Sequence, residues 1–322
     1  MENIIKKKRA KAFFSNKTVI AFLVAILMFI FGEIIFPGFM SFSHVMSVLR
    51  LSVFLGIVSL GQTLVIISGK EGIDLSVGSV VSIGVVISSY FLRGENKNIF
   101  LALVIVLAAG FVIGLINGAS ISYLKVAPLI MTLAMASVVG GLTLIVTRGF
   151  PIGNAPPLLE SLGSGKIFNI PYIIIFWIIL TVITLLILRN TKWGTMLYGI
   201  GANNLAAELS GINTKRFRMW VYAIAGSISC FAGFLLLSYT GTPYLNLGAP
   251  YIMPSVAAAT IGGVSLAGGE GNYFGTVAGC IVLTTLTSIL VALQAGESIR
   301  QIVYGLVILI LIIAYARPSR EL

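Results

Sequence analysis

Residues 219–240 read MWVYAIAGSISCFAGFLLLSYT, a run with no charged side chain. The absence of Asp, Glu, Lys and Arg continues to Gly269, and a second such stretch runs from Gly271 to Gly296. A helix needs about 20 mostly apolar residues to cross the hydrocarbon core of a bilayer. These stretches are long enough to hold several crossings, and composition extends the reading to the whole chain. Of 322 residues, 58% are hydrophobic and 10% charged, against about 45–50% and about 25% in an ordinary soluble domain. So few charges cannot cover a water-soluble surface of this size, and lipid must be the solvent for much of it. The 35 glycines suit helices that approach closely in a membrane. Cys230 and Cys280 lie in apolar stretches and read as small buried hydrophobes.

The predicted fold is all-α and polytopic, with about ten transmembrane helices near 18–36, 46–68, 74–92, 99–123, 127–147, 170–188, 218–240, 252–268, 273–293 and 299–316. The basic start, Lys6-Lys7-Lys8-Arg9, resembles the charged region of a signal peptide. The apolar run Val19–Phe36 behind it is long enough to be a permanent first helix. An even number of crossings puts both termini on one side. With those termini cytoplasmic, all but six of the 21 basic residues fall inside, the exceptions being Arg50, Arg93, Lys97, Arg148, Lys166 and Arg300. The net charge of +11 is therefore read as positive-inside bias, not as affinity for nucleic acid. Residues 1–322 are expected to form one transmembrane domain, with a basic cytoplasmic tail at 1–17 and a long cytoplasmic loop at 189–218.

The polar residues exclude several chemistries. Asp74 is the one Asp and His44, placed in the first outer loop, the one His. Clustered Asp, paired carboxylates and zinc-ligand sets cannot be assembled from them, so an intramembrane enzyme is not expected, and neither a cofactor nor a metal site. No G-x-x-x-x-G-K-[ST] stands anywhere, since Gly69-Lys70 is followed by Glu71 and Gly165-Lys166 by Ile167. Ion-coupled carriers bury carboxylates at mid-membrane. Glu33, near the outer end of its span, is the one carboxylate well inside an apolar run. What remains is mild: Gln62, Thr63, Ser76, Ser79, Asn117, Thr132, Thr184, Asn246 and Thr260. Singly, such groups bond back to helix carbonyls or across helix pairs, worth about 0.6 kcal/mol each. Collectively, Gln62, Thr63, Asn117, Thr132 and Thr260 suit a path for an uncharged polar solute. Gly110, Gly114 and Gly118 share one helix face and signal close packing.

Two segments stand out. In Gly72-Ile73-Asp74-Leu75-Ser76-Val77-Gly78-Ser79, Asp74 is suited to cap the third span and the glycines allow a tight turn back into the bundle. Within 189–218, Asn204 to Ile212 reads as a short helix capped by an Asn and closed by Gly211. Leu205, Leu209 and Ile212 form an apolar stripe at i, i+4 and i+7. Such a stripe lies on the membrane surface or docks into a partner's groove, and its neighbours Asn204, Ala206 and Ser210 favour the partner.

These segments resemble the ribose-type permeases of binding-protein-dependent ABC importers. The likeness lies in Gly61-Gln62-Thr63-Leu64-Val65-Ile66-Ile67-Ser68-Gly69, in Gly72 to Ser79, and in Ala127-Pro128-Leu129-Ile130-Met131-Thr132-Leu133. It continues through Gly194, Gly199-Ile200-Gly201 and Ala206 to Ile212, then Gly262 to Gly269 with Gly275-Thr276. The resemblance implies a permease subunit that moves a monosaccharide or related small polar solute by alternating access. It also implies a second permease subunit, an ATP-binding subunit holding ATP and Mg, and an external substrate-binding protein, all in or on a bacterial inner membrane. Glu208, Leu209, Ser210, Gly211 and Ile212, with Leu205, would match the coupling helix. Gly72, Asp74, Ser76 and Gly78 would match the family's signature turn, from which this chain departs by carrying Lys70 and Glu71 between Gly69 and Gly72. Related permeases for nucleosides or branched-chain amino acids, and a self-sufficient carrier or channel, are the competing readings.

Overall fold

A computed structural model describes residues 17–69 and 72–315, and these are predominantly helical. The predicted basic tail, apart from Lys17, and the Lys70-Glu71 departure lie outside the described residues. Helix α1 is Lys17–Ile35, α2 Phe42–Ile67, α3 Val77–Leu92, α4 Ile99–Tyr123 and α5 Pro128–Thr147. A short helix α6, Pro157–Ser164, and a small hairpin of β1 (Lys166–Ile167) against β2 (Ile170–Pro171) precede α7, Tyr172–Asn190. Then come α8 (Lys192–Ala202), α9 (Asn204–Leu209), α10 (Thr214–Thr240), α11 (Ile252–Ile261), α12 (Tyr273–Ala292) and α13 (Glu297–Tyr315). Among the described residues, seven helices (α1, α2, α4, α5, α7, α10 and α12) are long and apolar enough to cross a membrane. The chain is an all-α polytopic membrane protein.

Each of the ten predicted segments holds a helix, but two are cut short. The segment 74–92 becomes helical only at Val77. The segment 252–268 is a correction: α11 has ten residues, about 15 Å at 1.5 Å per residue, half a bilayer core. Its stop is local. Gly263 adopts φ +90°, its N–H bonds Thr260 O at 2.9 Å, and Val264 N–H bonds Ala259 O at 3.0 Å. That pair of bonds is the Schellman arrangement, which satisfies the last carbonyls and turns the chain away.

Helices α2 and α10 form the centre. Of the apolar window in α2, 89% is buried, against 22% in α4, whose outward face meets lipid. The close packing expected of the α4 glycines is present: a Cβ on Gly110 would fall 2.3 Å from Gly226 O, and one on Gly114 2.1 Å from Tyr222 O. Helix α3 meets α10 in the same way, with Gly84 against Cys230 and Gly233 against Val81.

The connections gather at two ends. At one, Gly94 N–H bonds Asn154 O at 3.1 Å, Leu158 N–H bonds Asn96 Oδ1 at 3.1 Å, and Ala155 N–H bonds Gly241 O at 2.8 Å. At the other, Gly269 N–H bonds Ile67 O at 3.0 Å and Tyr198 OH bonds Gly271 O at 2.8 Å. This second end carries Lys125, Arg189, Lys192, Lys215, Arg216 and Arg218, and is called the basic end below. His44 is not a solvated loop residue. It lies half-buried in the first turn of α2, its Nε2 3.0 Å from Ser288 Oγ and its ring 4.4 Å from that of Phe39. Glu33 turns toward the end opposite the basic one, where its carboxylate accepts the N–H groups of Gly38 (3.0 Å) and Met40 (2.6 Å).

Candidate functional site

After α2 stops at Ser68, the chain folds back beside its own last turns. Gly72 passes so close that a Cβ there would fall 2.6 Å from Val65 O. This brings Asp74 level with Gln62, whose side-chain amide accepts Asp74 N–H and donates to Asp74 O, both at 3.2 Å. Asp74 is buried, and its Oδ1 accepts Ser76 N–H at 2.8 Å and Ser76 Oγ–H at 2.5 Å. Ser76, rather than Asp74, holds the N-cap position of α3. The shift arises because Asp74 lies two residues before the cap, where its carboxylate closes a local turn. Asn117 Nδ2 donates to Ser76 Oγ at 3.0 Å, and Leu75 N–H donates to Thr132 Oγ1 at 3.1 Å. Gln62, Asp74, Ser76, Asn117 and Thr132 are thus one buried network joining α2, α4 and α5 to the start of α3. A buried carboxylate tolerates such a place when its lone pairs are met by donors.

The remaining path residues stand apart from that network. Thr63 Oγ1 lies 2.9 Å from Thr276 Oγ1 of α12, and Thr260 Oγ1 donates back to Val256 O at 2.7 Å. Neither these two nor Gln62, Asn117 and Thr132 line the three cavities described below.

The signature turn leads to a second interruption. Between α10 and α11 the backbone is irregular apart from a single turn at Ala249–Tyr251, and it dives into the bundle. There Gly248 N–H donates to Ser82 Oγ at 3.0 Å, and a Cβ on Gly248 would fall 1.9 Å from Gly78 O. Two broken elements, the start of α3 and the start of α11, therefore cross at two glycines. Irregular backbone at membrane depth is tolerated where protein buries it or where it lines a water-filled passage. In transporters, interrupted helices near the midplane form substrate sites. Gly248 is buried, whereas Tyr244, Asn246 and Met253 on either side of it are exposed on the flank of the chain.

At the basic end, the predicted loop 189–218 is mostly helical and holds two helices where one was expected. Helix α8 is started by Thr191, whose Oγ1 accepts Gly194 N–H at 3.3 Å. It is pinned by Trp193 packing against Phe217, ring centroids 5.5 Å apart and tilted by 36°, and by the Tyr198 bond to Gly271 O. Burial pushes the Tyr198 phenol up, which keeps that donor protonated. Trp193, Leu197 and Ile200 recur at i, i+4 and i+7, a signal that would have revealed α8 in the sequence. Helix α9 is capped by Asn203, whose Oδ1 accepts Ala206 N–H at 3.0 Å. It ends in the same Schellman arrangement as α11: Gly211, at φ +85°, bonds Glu208 O at 3.0 Å and Ile212 bonds Ala207 O at 3.1 Å.

The root of α9 is polar. Glu208 Oε1 accepts from Asn204 Nδ2 at 2.9 Å and from Thr214 Oγ1 at 2.6 Å. Arg218, buried in the first turns of α10, donates through Nη2 to Asn204 Oδ1 at 3.1 Å and to Ser68 O at 3.3 Å. Arg218 thus ties α9 to the end of α2, a role not assigned to it from sequence; its place as the last cation before a charge-free span was the available signal. Above this root Leu205 is 65% and Leu209 82% exposed. Ile212 departs from the expected stripe: it lies beyond the helix, half-buried, where with Met196, Thr195 and Ala207 it lines a groove of about 620 Å³ between α8 and α9. Ser210 lines the same groove, its Oγ donating to Ala206 O at 2.8 Å. A second cavity, of about 380 Å³, is apolar and lies between α2, α7 and α10. A third, of about 300 Å³, opens beside Arg218.

Residues 44–312 match the family described as branched-chain amino acid transport system / permease component. The ribose import permease protein RbsC of Bacillus subtilis is 34% identical over 301 residues, covering 92% of each chain. That of Haemophilus influenzae is 32% identical over 298 residues, covering 91% of each. The galactose/methyl galactoside import permease protein MglC of Salmonella typhimurium is 31% identical over 285 residues, covering 83% of each. No solved structure matches.

Proposed function

This chain belongs to the branched-chain amino acid transport system / permease component family and is a permease of the ribose type, and from that premise we propose that it is the membrane subunit of an ATP-driven importer carrying a monosaccharide or similar small polar solute into the cell. The basic end faces the cytoplasm, in keeping with the positive-inside rule. Ten crossings, the eighth made by the irregular segment 241–251 together with α11, leave both termini on that side in a bacterial inner membrane. ATP and Mg are bound by a separate subunit, solute is delivered by an external binding protein, and a second permease subunit completes the pore.

The observation that carries the reading is α9. Two leucines, Leu205 and Leu209, stand exposed on a six-residue helix whose base is locked to α2 and α10 by Arg218, Asn204, Glu208 and Thr214. A stiffly rooted apolar knob at the charged end is suited to enter a groove on a partner protein and to pass its motion to the spans. Solute passes where two permease subunits meet, along the flank where Tyr244, Asn246 and Met253 are exposed beside the broken start of α11. Gln62, Thr63, Asn117, Thr132 and Thr260 support this path from behind: the first, third and fourth hold the start of α3 in place against it.

Leu209→Asp tests the assignment. Placing a carboxylate at the centre of an apolar contact removes a binding hot spot worth about 2 kcal/mol or more. Uptake and transport-linked ATP hydrolysis fall by at least about tenfold, while membrane insertion and the melting temperature of the isolated chain stay unchanged, because Leu209 is 82% exposed. Normal uptake by the variant would refute the coupling role of α9.

A further inference from the structure

At the basic end, where α4 stops and α5 and α10 begin, the bundle encloses a cavity of about 300 Å³. Lys125, Lys215 and Arg218 line it, against one carboxylate, Glu208, which is already engaged by Asn204 and Thr214. Ser122 and Tyr222 complete the polar wall. Ser122 and Arg218 are each 6% exposed and Tyr222 is fully buried, yet Ser122 Oγ, the Nε of Arg218 and the Tyr222 hydroxyl have no hydrogen-bond partner. A buried polar group left unpaired costs about 1–3 kcal/mol, and more when it is charged. Three such groups around one cavity, each able to donate, amount to an unmet demand for an acceptor. Water can accept from them, but it does not answer the surplus of three cations over the single carboxylate in the lining. Helix α5 adds a further partial positive charge, because it starts at Pro128 with no side-chain cap.

We propose that this cavity binds a phosphate-bearing anion, presented either by the headgroup of a phospholipid in the adjoining leaflet or by a soluble phosphate compound. The phosphate oxygens accept from Tyr222 OH, Ser122 Oγ and Arg218 Nε, and Lys125 and Lys215, both exposed at the mouth, supply charge. A carboxylate offers fewer acceptor oxygens to the same donors, and a neutral sugar leaves the cations unanswered. The site is independent of the transport reading, and its test measures binding alone.

The test uses the purified full-length chain. Native mass spectrometry after exchange into mixed detergent counts retained phosphatidylglycerol against phosphatidylcholine, and a thermal-shift titration with inorganic phosphate and pyrophosphate reads soluble ligands. Preferential retention of phosphatidylglycerol identifies a headgroup; stabilisation by phosphate or pyrophosphate without lipid preference identifies a soluble ligand. In either case Tyr222→Phe weakens binding by about tenfold, the value of one hydrogen bond to a charged group. Lys125→Gln with Lys215→Gln weakens it further and flattens its salt dependence. Ligand-free Tyr222→Phe melts no lower than the parent chain, since the hydroxyl it loses has no partner; that result separates a lost site from a damaged fold. The proposal is overturned if the parent chain shows neither lipid preference nor phosphate stabilisation, or if binding is undiminished in both variants.

Discussion

Gly248→Ala probes the crossing of the two broken elements. Gly248 has φ −85° and ψ −18°, values any residue adopts, so on backbone preference alone alanine should stabilise by about 0.4–1 kcal/mol. The tertiary contact reverses the sign. A Cβ at this position lies 1.9 Å from Gly78 O, 2.8 Å from Gly78 C and 2.8 Å from Val81 Cβ, and two of these atoms are backbone. Separations below 3.0 Å are not sustained by real Cβ atoms, so the starts of α3 and α11 must part by about 1 Å. Overpacking of that kind costs about 1–3 kcal/mol. The displacement also stretches the 3.0 Å bond from Gly248 N–H to Ser82 Oγ, worth about 0.5–1.5 kcal/mol. After the alanine gain is subtracted, the net loss is about 0.5–4 kcal/mol, with about 2 as the central value, which at about 2–4 °C per kcal/mol lowers the melting point of the detergent-solubilised chain by roughly 4–8 °C at that value. Gly78→Ala acts on the same contact, with its Cβ 2.4 Å from Ile252 Cγ1 and 2.9 Å from Gly248 O, so the double variant loses less than the sum of the two. A melting point for Gly248→Ala equal to or above that of the parent chain, by fluorescence-detected size exclusion after heating, would refute the crossing.

Gly114→Ala places a methyl 2.1 Å from Tyr222 O, forces α4 off α10, costs about 1–3 kcal/mol and lowers the same melting point accordingly. Trp177→Phe removes the 2.8 Å bond from the indole N–H to Tyr273 OH; a loss of about 1 kcal/mol is expected in the same assay, because Tyr273 still donates to Gly56 O at 2.9 Å. Asn117→Ala strips Ser76 Oγ of its donor and costs about 1–2 kcal/mol, with amide exchange rising at residues 73–76. Asn246→Ala, at an exposed position, leaves the melting point unchanged and lowers the rate of solute uptake in reconstituted vesicles if the flank beside α11 lines the path.

Hydrophobic runs made the helical, membrane-embedded class legible, and the glycine pattern of Gly110, Gly114 and Gly118 revealed one close helix pair, because both are properties of short contiguous sequence. The signature turn was half legible. Gly72 and Asp74 marked a turn back into the bundle, yet nothing local said that Gln62, Asn117 and Thr132, scattered over 71 positions from 62 to 132, would be consumed in holding it. Residues read as a path turned out to be bonded within the chain, since a hydroxyl in a span looks the same in sequence whether it faces a passage or a neighbouring carbonyl. Helix α8 was missed for a different reason: its glycines at 194, 199 and 201 read as a loop, whereas two of them let it pack tightly, Gly201 against Ile67 O and Gly194 against Leu188 O.

The sequence by itself determined that lipid is the solvent for much of the surface, that the chain is helical and which end is basic, because hydrophobicity and charge are additive along the chain. Only the tertiary structure decided that two interruptions, at the starts of α3 and α11, meet at Gly78 and Gly248, and that Arg218 ties α9 to α2. Those outcomes depend on which atoms from distant parts of the chain come into contact, and no local pattern encodes that.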